Sequence, residues 1–355
     1  MPTGIVAGKA AALTVEAGYG RPLAGGALAF TGCEVLRRTS PGFSVTALPL
    51  AGLGAWAESQ GRGVAGSIAW QMTRLTEPCP PWAGLTMDRP RLMGVVNVTP
   101  DSFSDGGTTL NPSDAIARGL ALLAAGADLI DVGGESTRPG AQPVSPGEEI
   151  ARIEPVVRAL SERGALVSID TRHAAVMAAA VAAGARILND VTALAGDAGS
   201  MAVAADCSAA VLLMHMQGEP RTMQAAPEYQ AAPLDVLDFL AQRVEACQQA
   251  GIAPDRIAVD PGIGFGKTVA HNVEILNRLA LLHLLGRPVV LGASRKSFIA
   301  HLDRDNAPPP DQRLPGSLAA VLAGLGQGVR IFRVHDVAET HQAITVWRAI
   351  AGEAL

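Results

Sequence analysis

From residue 91 onward one pattern repeats. A short apolar run ends in a polar or glycine cluster, and an Ala/Leu-rich stretch with helical spacing follows. Eight such runs, at 91–98, 128–133, 165–170, 186–190, 209–215, 256–260, 288–294 and 329–335, alternate with eight candidate helices, the last ending near Ala351. This alternation specifies a parallel sheet, because parallel neighbours need a long crossover that a helix supplies. Eight units in about 260 residues is the size of a closed (β/α)8 TIM barrel. A doubly wound open sheet is the alternative, and periodicity does not separate the two. The polar residues favour the barrel. Asn97, Asp131, Asp170, Asn189, Asp190, His215, Asp260, Ser294, Arg333 and His335 all fall at the C-terminal ends of the candidate strands. Barrel strands gather those ends around one mouth, whereas an open sheet concentrates them at one crevice.

Residues 1–88 lack the repeat. They read as a small N-terminal α/β extension of unknown role, with the proline-rich "PCPPWAGL" at 78–85 as a linker. The barrel domain is expected over 89–355. Hydrophobic residues make up 48% of the chain and aromatics 4%, so the core must be built from Ala, Val, Leu and Ile. The net charge of −5 and the lack of a basic field argue against nucleic acid. Cys33, Cys79, Cys207 and Cys247 are far apart, which suggests neither a zinc site nor a disulfide framework. There is no 18-residue apolar run and no basic leader before an apolar one, so a soluble, cytoplasmic protein without membrane contact is expected.

Four groups of residues carry chemistry. "NVTPDSFSDGG" (97–107) holds Asn97, Asp101, Ser102, Ser104 and Asp105. It reads either as a turn-rich surface loop or as a mobile lid with oxygen ligands for a hard cation such as Mg2+. "GGESTRPGA" (133–141) combines two glycines with Glu135, Thr137 and Arg138, and the guanidinium suits forked binding of carboxylate or phosphate. Asp170, Asn189 and Asp260 each end an apolar strand. Taken singly they are salt-bridge or helix-capping residues. Together, two acceptors and an amide that both donates and accepts match the N–H-rich edge of a guanine-like or pterin-like heterocycle. Arg333 and His335, two residues apart on a strand, face the same side and suggest an anion site.

"VDPGIGFGKT" (259–268) ends like a Walker A loop, but Pro261 stands where that loop needs its first glycine. It reads better as a strand ending in Asp260, followed by a glycine-rich turn that carries Phe265. Lys267 then has no assigned partner and is expected to be a solvated side chain.

Taken together, "GVVNVTPDSFSDGG", "GADLIDVGGESTRPGA", "SIDT", "LNDV", "LMHMQGEPRTMQ", "DPGIGFGK", "SRKSF" and "RVHDV" resemble, in order, the segments of the dihydropteroate synthases, pterin-binding enzymes of folate biosynthesis. The resemblance covers about residues 91–351. It implies a (β/α)8 barrel, a transferase, a sulfonamide target and a homodimer. The implied reaction joins 6-hydroxymethyl-7,8-dihydropterin diphosphate to 4-aminobenzoate. By the same resemblance Asp170, Asn189 and Asp260 hold the pterin edge, and Lys296 contacts the pterin ring and the aminobenzoate pocket. Arg333 and His335 anchor the diphosphate, and Asn97 is the Mg2+ ligand. Thr137, Arg138, Pro139, Phe265 and Ser297 lie near the diphosphate or the aminobenzoate. Asp170, Asp260, Lys296, Arg333 and His335 form the implied catalytic set. Two other readings are a methyltetrahydrofolate-type methyltransferase domain and a non-catalytic pterin-binding paralogue. The long extension departs from the family pattern.

Overall fold

A computed structural model of the chain describes residues 1–98, 111–135, 144–219, 222–303 and 305–353. The extension contains β1 (Pro2–Thr3), β2 (Val6–Ala7), α1 (Gly8–Glu16), β3 (Arg21–Leu23), β4 (Leu28–Phe30), β5 (Gly32–Arg38), β6 (Phe43–Pro49), α2 (Leu50–Ser59) and α3 (Arg62–Thr76). Its strands form two antiparallel three-stranded sheets, ordered β1-β5-β6 and β2-β4-β3. Leu23, Leu28, Phe30, Cys33, Leu53 and Leu75 make its core, against which Leu284 and Trp347 of the barrel also pack.

The barrel strands are β7 (Arg91–Asn97), β8 (Leu129–Gly133), β9 (Val167–Asp170), β10 (Ile187–Asp190), β11 (Ala210–Met214), β12 (Ile257–Asp260), β13 (Val290–Leu291) and β14 (Ile331–Val334). They form one eight-stranded sheet in the order β12-β11-β10-β9-β8-β7-β14-β13. A parallel bridge between Val259 and Val289 joins its two ends, which makes the sheet a barrel rather than an open array. Around it lie α4 (Pro112–Ala124), α5 (Pro146–Ser161), α6 (Ala174–Ala182), α7 (Ser200–Asp206), α8 (Ala232–Gln249), α9 (Val269–Leu276), α10 (Ser297–Leu302), α11 (Leu314–Leu325) and α12 (Val337–Ala351).

Local signals start these helices. Asn111 and Ser145 accept hydrogen bonds from the backbone of Asp114 and Glu148, and each is followed by a proline in the first turn. The sequence predicts one helix between the last two strands, and the structure has two, α10 and α11. Three consecutive prolines, Pro308–Pro310, lie between them and cannot continue a helix.

Side chains alternate across each strand. Met93, Leu129, Ile187, Leu212, Ala258, Val290 and Ile331 fill the barrel interior near the strand starts. Their outward neighbours Leu92, Ile130, Leu188, Leu213, Val259, Leu291 and Phe332 pack under the helices. The same parity carries Asp170, Asn189, Asp260 and Arg333 inward at the strand ends. It turns Asp190 outward, where its carboxylate accepts from Thr192 N, Thr192 Oγ1 and Leu194 N and shapes the following loop.

The segment expected as a linker closes the bottom of the barrel. Trp82 is 1% exposed and, with Met87, packs on the interior residues at the strand starts. Its indole Nε1 donates to Arg256 O at 3.0 Å. Arg91 ties the exit of this segment in place, bonding Thr86 O at 2.8 Å, Asp88 at 2.6 Å and Asp128 at 3.1 Å. Prolines suit this plug as well as a linker, since a chain crossing a barrel end has no ladder partners for its N–H groups.

Candidate active site

The mouth of the barrel is organised around Arg333. Its Nε donates to Asp131 Oδ2 at 2.7 Å and its Nη2 to Asp170 Oδ2 at 2.6 Å. Asn189 Nδ2 also donates to Asp131 Oδ2, at 3.1 Å. Asp131 is fully buried, and its Oδ1 has no hydrogen-bond partner among the described residues. A buried carboxylate is costly unless paired. Asp131 is thus the residue that orients both the guanidinium and the amide, a role that its place among the strand-end polar residues does not assign. The signal for its position was available: it lies between Leu129 and Gly133 on the inward face of β8.

Asp260 closes the opposite side. Its Oδ1 accepts from Gly262 N at 2.6 Å. A Cβ on Gly292 would stand 3.5 Å from Asp260 Oδ2 and 3.9 Å from Arg333 Cβ, so the glycine keeps the space between the two open. Across the mouth, a Cβ on Gly133 would lie 3.6 Å from Asp170 Cβ and 3.7 Å from Asn97 Oδ1. Asn97 and Asp170 therefore flank one gap. His335, half-buried, shares a 3.0 Å hydrogen bond between its Nδ1 and Ser294 Oγ. Lys296 reaches over the Phe265 ring, with Nζ 4.0 Å from its centroid, a cation–π contact. Ser297, exposed, opens α10 beside it. Thr137, Arg138 and Pro139 lie outside the described residues, as do Asp101, Ser102, Ser104 and Asp105.

Lys267 corrects the sequence reading. It is not solvated but 3% exposed, with Nζ 2.8 Å from Gly262 O, 3.0 Å from Phe265 O, 3.3 Å from His215 O and 2.9 Å from His215 Nδ1. The glycine-rich turn bends back over its own lysine, which no spacing rule reveals. Burial brings the Lys267 pKa down to about 7, with Asp260 opposing. Burial and then the Lys267 charge hold His215 down at about 3, so its ring is neutral.

Just past β8, Glu135 accepts two 3.1 Å bonds from Arg172, and Glu149 Oε2 meets His173 Nδ1 at 2.8 Å. Glu135, Glu149 and His173 bring ligand atoms within 4.8 Å of one another. Arg172 already supplies the positive charge there, so the cluster reads as an ion-pair network.

Burial opposes the Arg333 charge, but Asp131 and then Asp170 hold its pKa above the ordinary range. Burial pushes Asp260 up. It also pushes Asp170 up to about 7, against Arg333, with Asp131 adding to the rise. One arginine shared by two carboxylates leaves the second short of counter-charge. The folded protein then keeps the Asp170 proton at pH values where the unfolded chain has lost it. That contribution to stability is full below the unfolded pKa, about 3.9, and is lost as pH rises to about 7. Asp170→Asn is expected to flatten this slope, read from urea midpoints between pH 4.5 and 8. An unchanged slope would remove Asp170 as its source.

A profile of the "Pterin binding enzyme" family matches residues 93–335. Dihydropteroate synthase of Escherichia coli K12 is 45% identical over 266 residues, which is 75% of this chain and 93% of that protein. The Xanthomonas albilineans dihydropteroate synthase solved with 4-aminobenzoic acid is 47% identical. It superposes with a TM-score of 0.70 over 77% of this chain and 97% of its own. The Burkholderia cenocepacia dihydropteroate synthase complexed with 7,8-dihydropteroate is 43% identical, with a TM-score of 0.69 over 77% and 96% of the two chains. The extension lies outside the residues that the family profile matches. Among the described residues no helix is long and apolar enough to cross a membrane. The chain belongs to the pterin-binding enzyme family and, within it, to the dihydropteroate synthases, a group of transferases.

Proposed function

We propose that the protein joins 6-hydroxymethyl-7,8-dihydropterin diphosphate to 4-aminobenzoate, giving 7,8-dihydropteroate and pyrophosphate. The observation that carries this reading is the mouth itself. Asp170, Asn189 and Asp260 offer inward acceptors and an amide around a gap kept open by Gly292, with Arg333 fixed among them. The pterin 2-amino group and ring N–H supply the donors such acceptors need. The bond-breaking step releases diphosphate with the C–O electron pair, and the electron-rich pterin delocalises the positive charge left on the methylene carbon. The arylamine nitrogen then forms the C–N bond and gives up a proton. Arg333 and His335 meet the charge that grows on the departing diphosphate. No covalent enzyme intermediate is required.

Magnesium commonly takes one or two protein oxygens and completes its shell with water and substrate phosphates. Asn97, with its amide oxygen beside the gap at Gly133, fits as one such ligand. When bound, Mg2+ would neutralise leaving-group charge. Lys296 and Phe265, stacked together, form one wall for the aminobenzoate ring, near Ser297. Thr137, Arg138 and Pro139, outside the described residues, belong to this reading as contacts of the diphosphate or the aminobenzoate. The reading extends to a cytoplasmic homodimer and to the sulfonamide target that the resemblance implies. The solved Yersinia pestis synthase carries a sulfonamide complex.

The direct test is pyrophosphate release with both substrates and Mg2+. No release above background from folded protein would defeat the proposal. Ordered binding is tested by calorimetry. 4-Aminobenzoate is expected to bind only when diphosphate and Mg2+ are present, and full-strength binding in their absence would exclude the ordered scheme.

A further inference from the structure

Lys267 is a buried amine that the chemistry above does not use. Its surroundings say what it does. The turn after β12 runs Pro261–Gly266 and has three left-handed glycines, Gly262 (φ +66°), Gly264 (φ +84°) and Gly266 (φ +59°). It is pressed onto the chain leaving β11. A Cβ on Gly262 would stand 1.9 Å from His215 O, and one on Gly266 would stand 2.3 Å from Gln217 O. Two backbones in such close contact cannot hold each other by side-chain packing at those points. The lysine ties them from within, while Tyr229 Oη donates to Gly266 O and Gln224 Nε2 to Gly264 O from the far side. The Lys267 Nζ meets carbonyls of both segments, Gly262 O and Phe265 O on one and His215 O on the other, together with the His215 ring. With His215 neutral, Nδ1 accepts and Nζ donates. Phe239 meets the ring edge-on, at 4.8 Å between centroids, and fixes its plane.

What this clasp holds is the second-substrate wall. Phe265 sits between Gly264 and Gly266, packed on Val191, Met214 and Met223, and under Lys296 Nζ at 4.0 Å. The Lys296 chain itself passes Gly264, where a Cβ would stand 3.2 Å from its Cδ. The Phe265–Lys296 stack therefore exists only while the turn keeps this shape.

We infer that Lys267 is a positioning residue for the 4-aminobenzoate site, acting through the turn it ties to His215. The inference rests on the proposed reaction, because it assumes that Phe265 and Lys296 face 4-aminobenzoate. Of the pterin-edge residues only Asp260 touches the turn, through Gly262 N, while Asp170, Asn189 and Arg333 sit on strands outside the clasp, so pterin binding should depend on it less.

The test is Lys267→Met, which keeps most of the length of the side chain and removes its N–H donors. The expected result is a rise of about tenfold or more in KM for 4-aminobenzoate, with KM for the pterin diphosphate changed by less than about threefold. An equal loss toward both substrates, or an unchanged KM for 4-aminobenzoate, overturns the inference. Should the variant fail to fold, amide hydrogen exchange on the unliganded wild-type protein decides. The clasp predicts that the amides of Gly262, Gly264 and Phe265 are as protected as those of β12. Exchange at loop rates would show that the turn is not held before ligands arrive. This readout needs no turnover, so an inactive wild-type enzyme would defeat the proposed function and leave the clasp to be judged on its own.

Discussion

Arg333→Met is expected to lower kcat/KM for the pterin diphosphate by about a thousandfold or more. One preorganised donor aimed at developing charge is worth about 10²–10³ in rate, and an arginine aimed at a transferring phosphoryl group about 10³–10⁵. Arg333 combines that task with a second one. Its Nε and Nη2 are engaged by Asp131 and Asp170, while Nη1 takes part in neither ion pair. The two carboxylates thus fix the plane of the fork, and the fork neutralises them. Removing it leaves both carboxylates without their cation. Breaking one side of a buried ion pair costs about 3–5 kcal/mol, reduced when the orphaned group takes up a proton. The variant should therefore also unfold earlier in urea, and more so at pH 8 than at pH 5. Arg333→Lys separates the two effects. It restores positive charge but not the fork, so it should recover stability more fully than turnover. Turnover within tenfold of wild type in Arg333→Met would remove the residue from the chemistry.

The barrel was legible because each element carries its own signal. Leu129-Ile130-Asp131-Val132-Gly133 is buried throughout, with Leu129 on one face and Ile130 and Val132 on the other, as suits a doubly covered parallel strand. The strand-end polar residues then mark the mouth, since a salt bridge or a helix cap explains any one of them but not the whole set at the ends of apolar runs. Three roles were not legible, for different reasons. Asp131 looks like another strand polar until Arg333 and Asn189 are seen to converge on it, and convergence of three strands is a tertiary fact. Lys267 looks solvated because glycines and a lysine are what a surface turn contains. Only the left-handed angles at Gly262, Gly264 and Gly266 fold the turn over it. Trp82 looks like a linker residue because its neighbours are prolines, and the apolar floor it covers is assembled from seven strands that local pattern cannot bring together.

Trp82→Ala is expected to destabilise the protein by about 3–5 kcal/mol, the range for emptying a buried aromatic site. The loss has two parts. The indole leaves a cavity against Met93, Leu129, Ile187 and their neighbours, and Arg256 O loses its 3.0 Å donor. These side chains come from the starts of the strands, whereas Asp170, Asp260 and Arg333 come from their ends. The mouth should barely feel the change, and turnover at a temperature where the variant is folded should stay within about twofold of wild type. Trp82→Phe refills most of the volume without the N–H and should recover most of the stability. Paired truncations carry the same logic to the whole extension. Deleting residues 1–77 keeps Trp82 and Met87 under the barrel, while deleting residues 1–88 uncovers the floor. The longer deletion should be markedly less stable than the shorter. If Trp82→Ala and both truncations unfold at the wild-type urea midpoint, the segment is a tether and the barrel closes without it. A drop shared by Trp82→Ala and the longer truncation assigns the plug to residues 78–88 and leaves the two small sheets as a separate layer on the barrel wall.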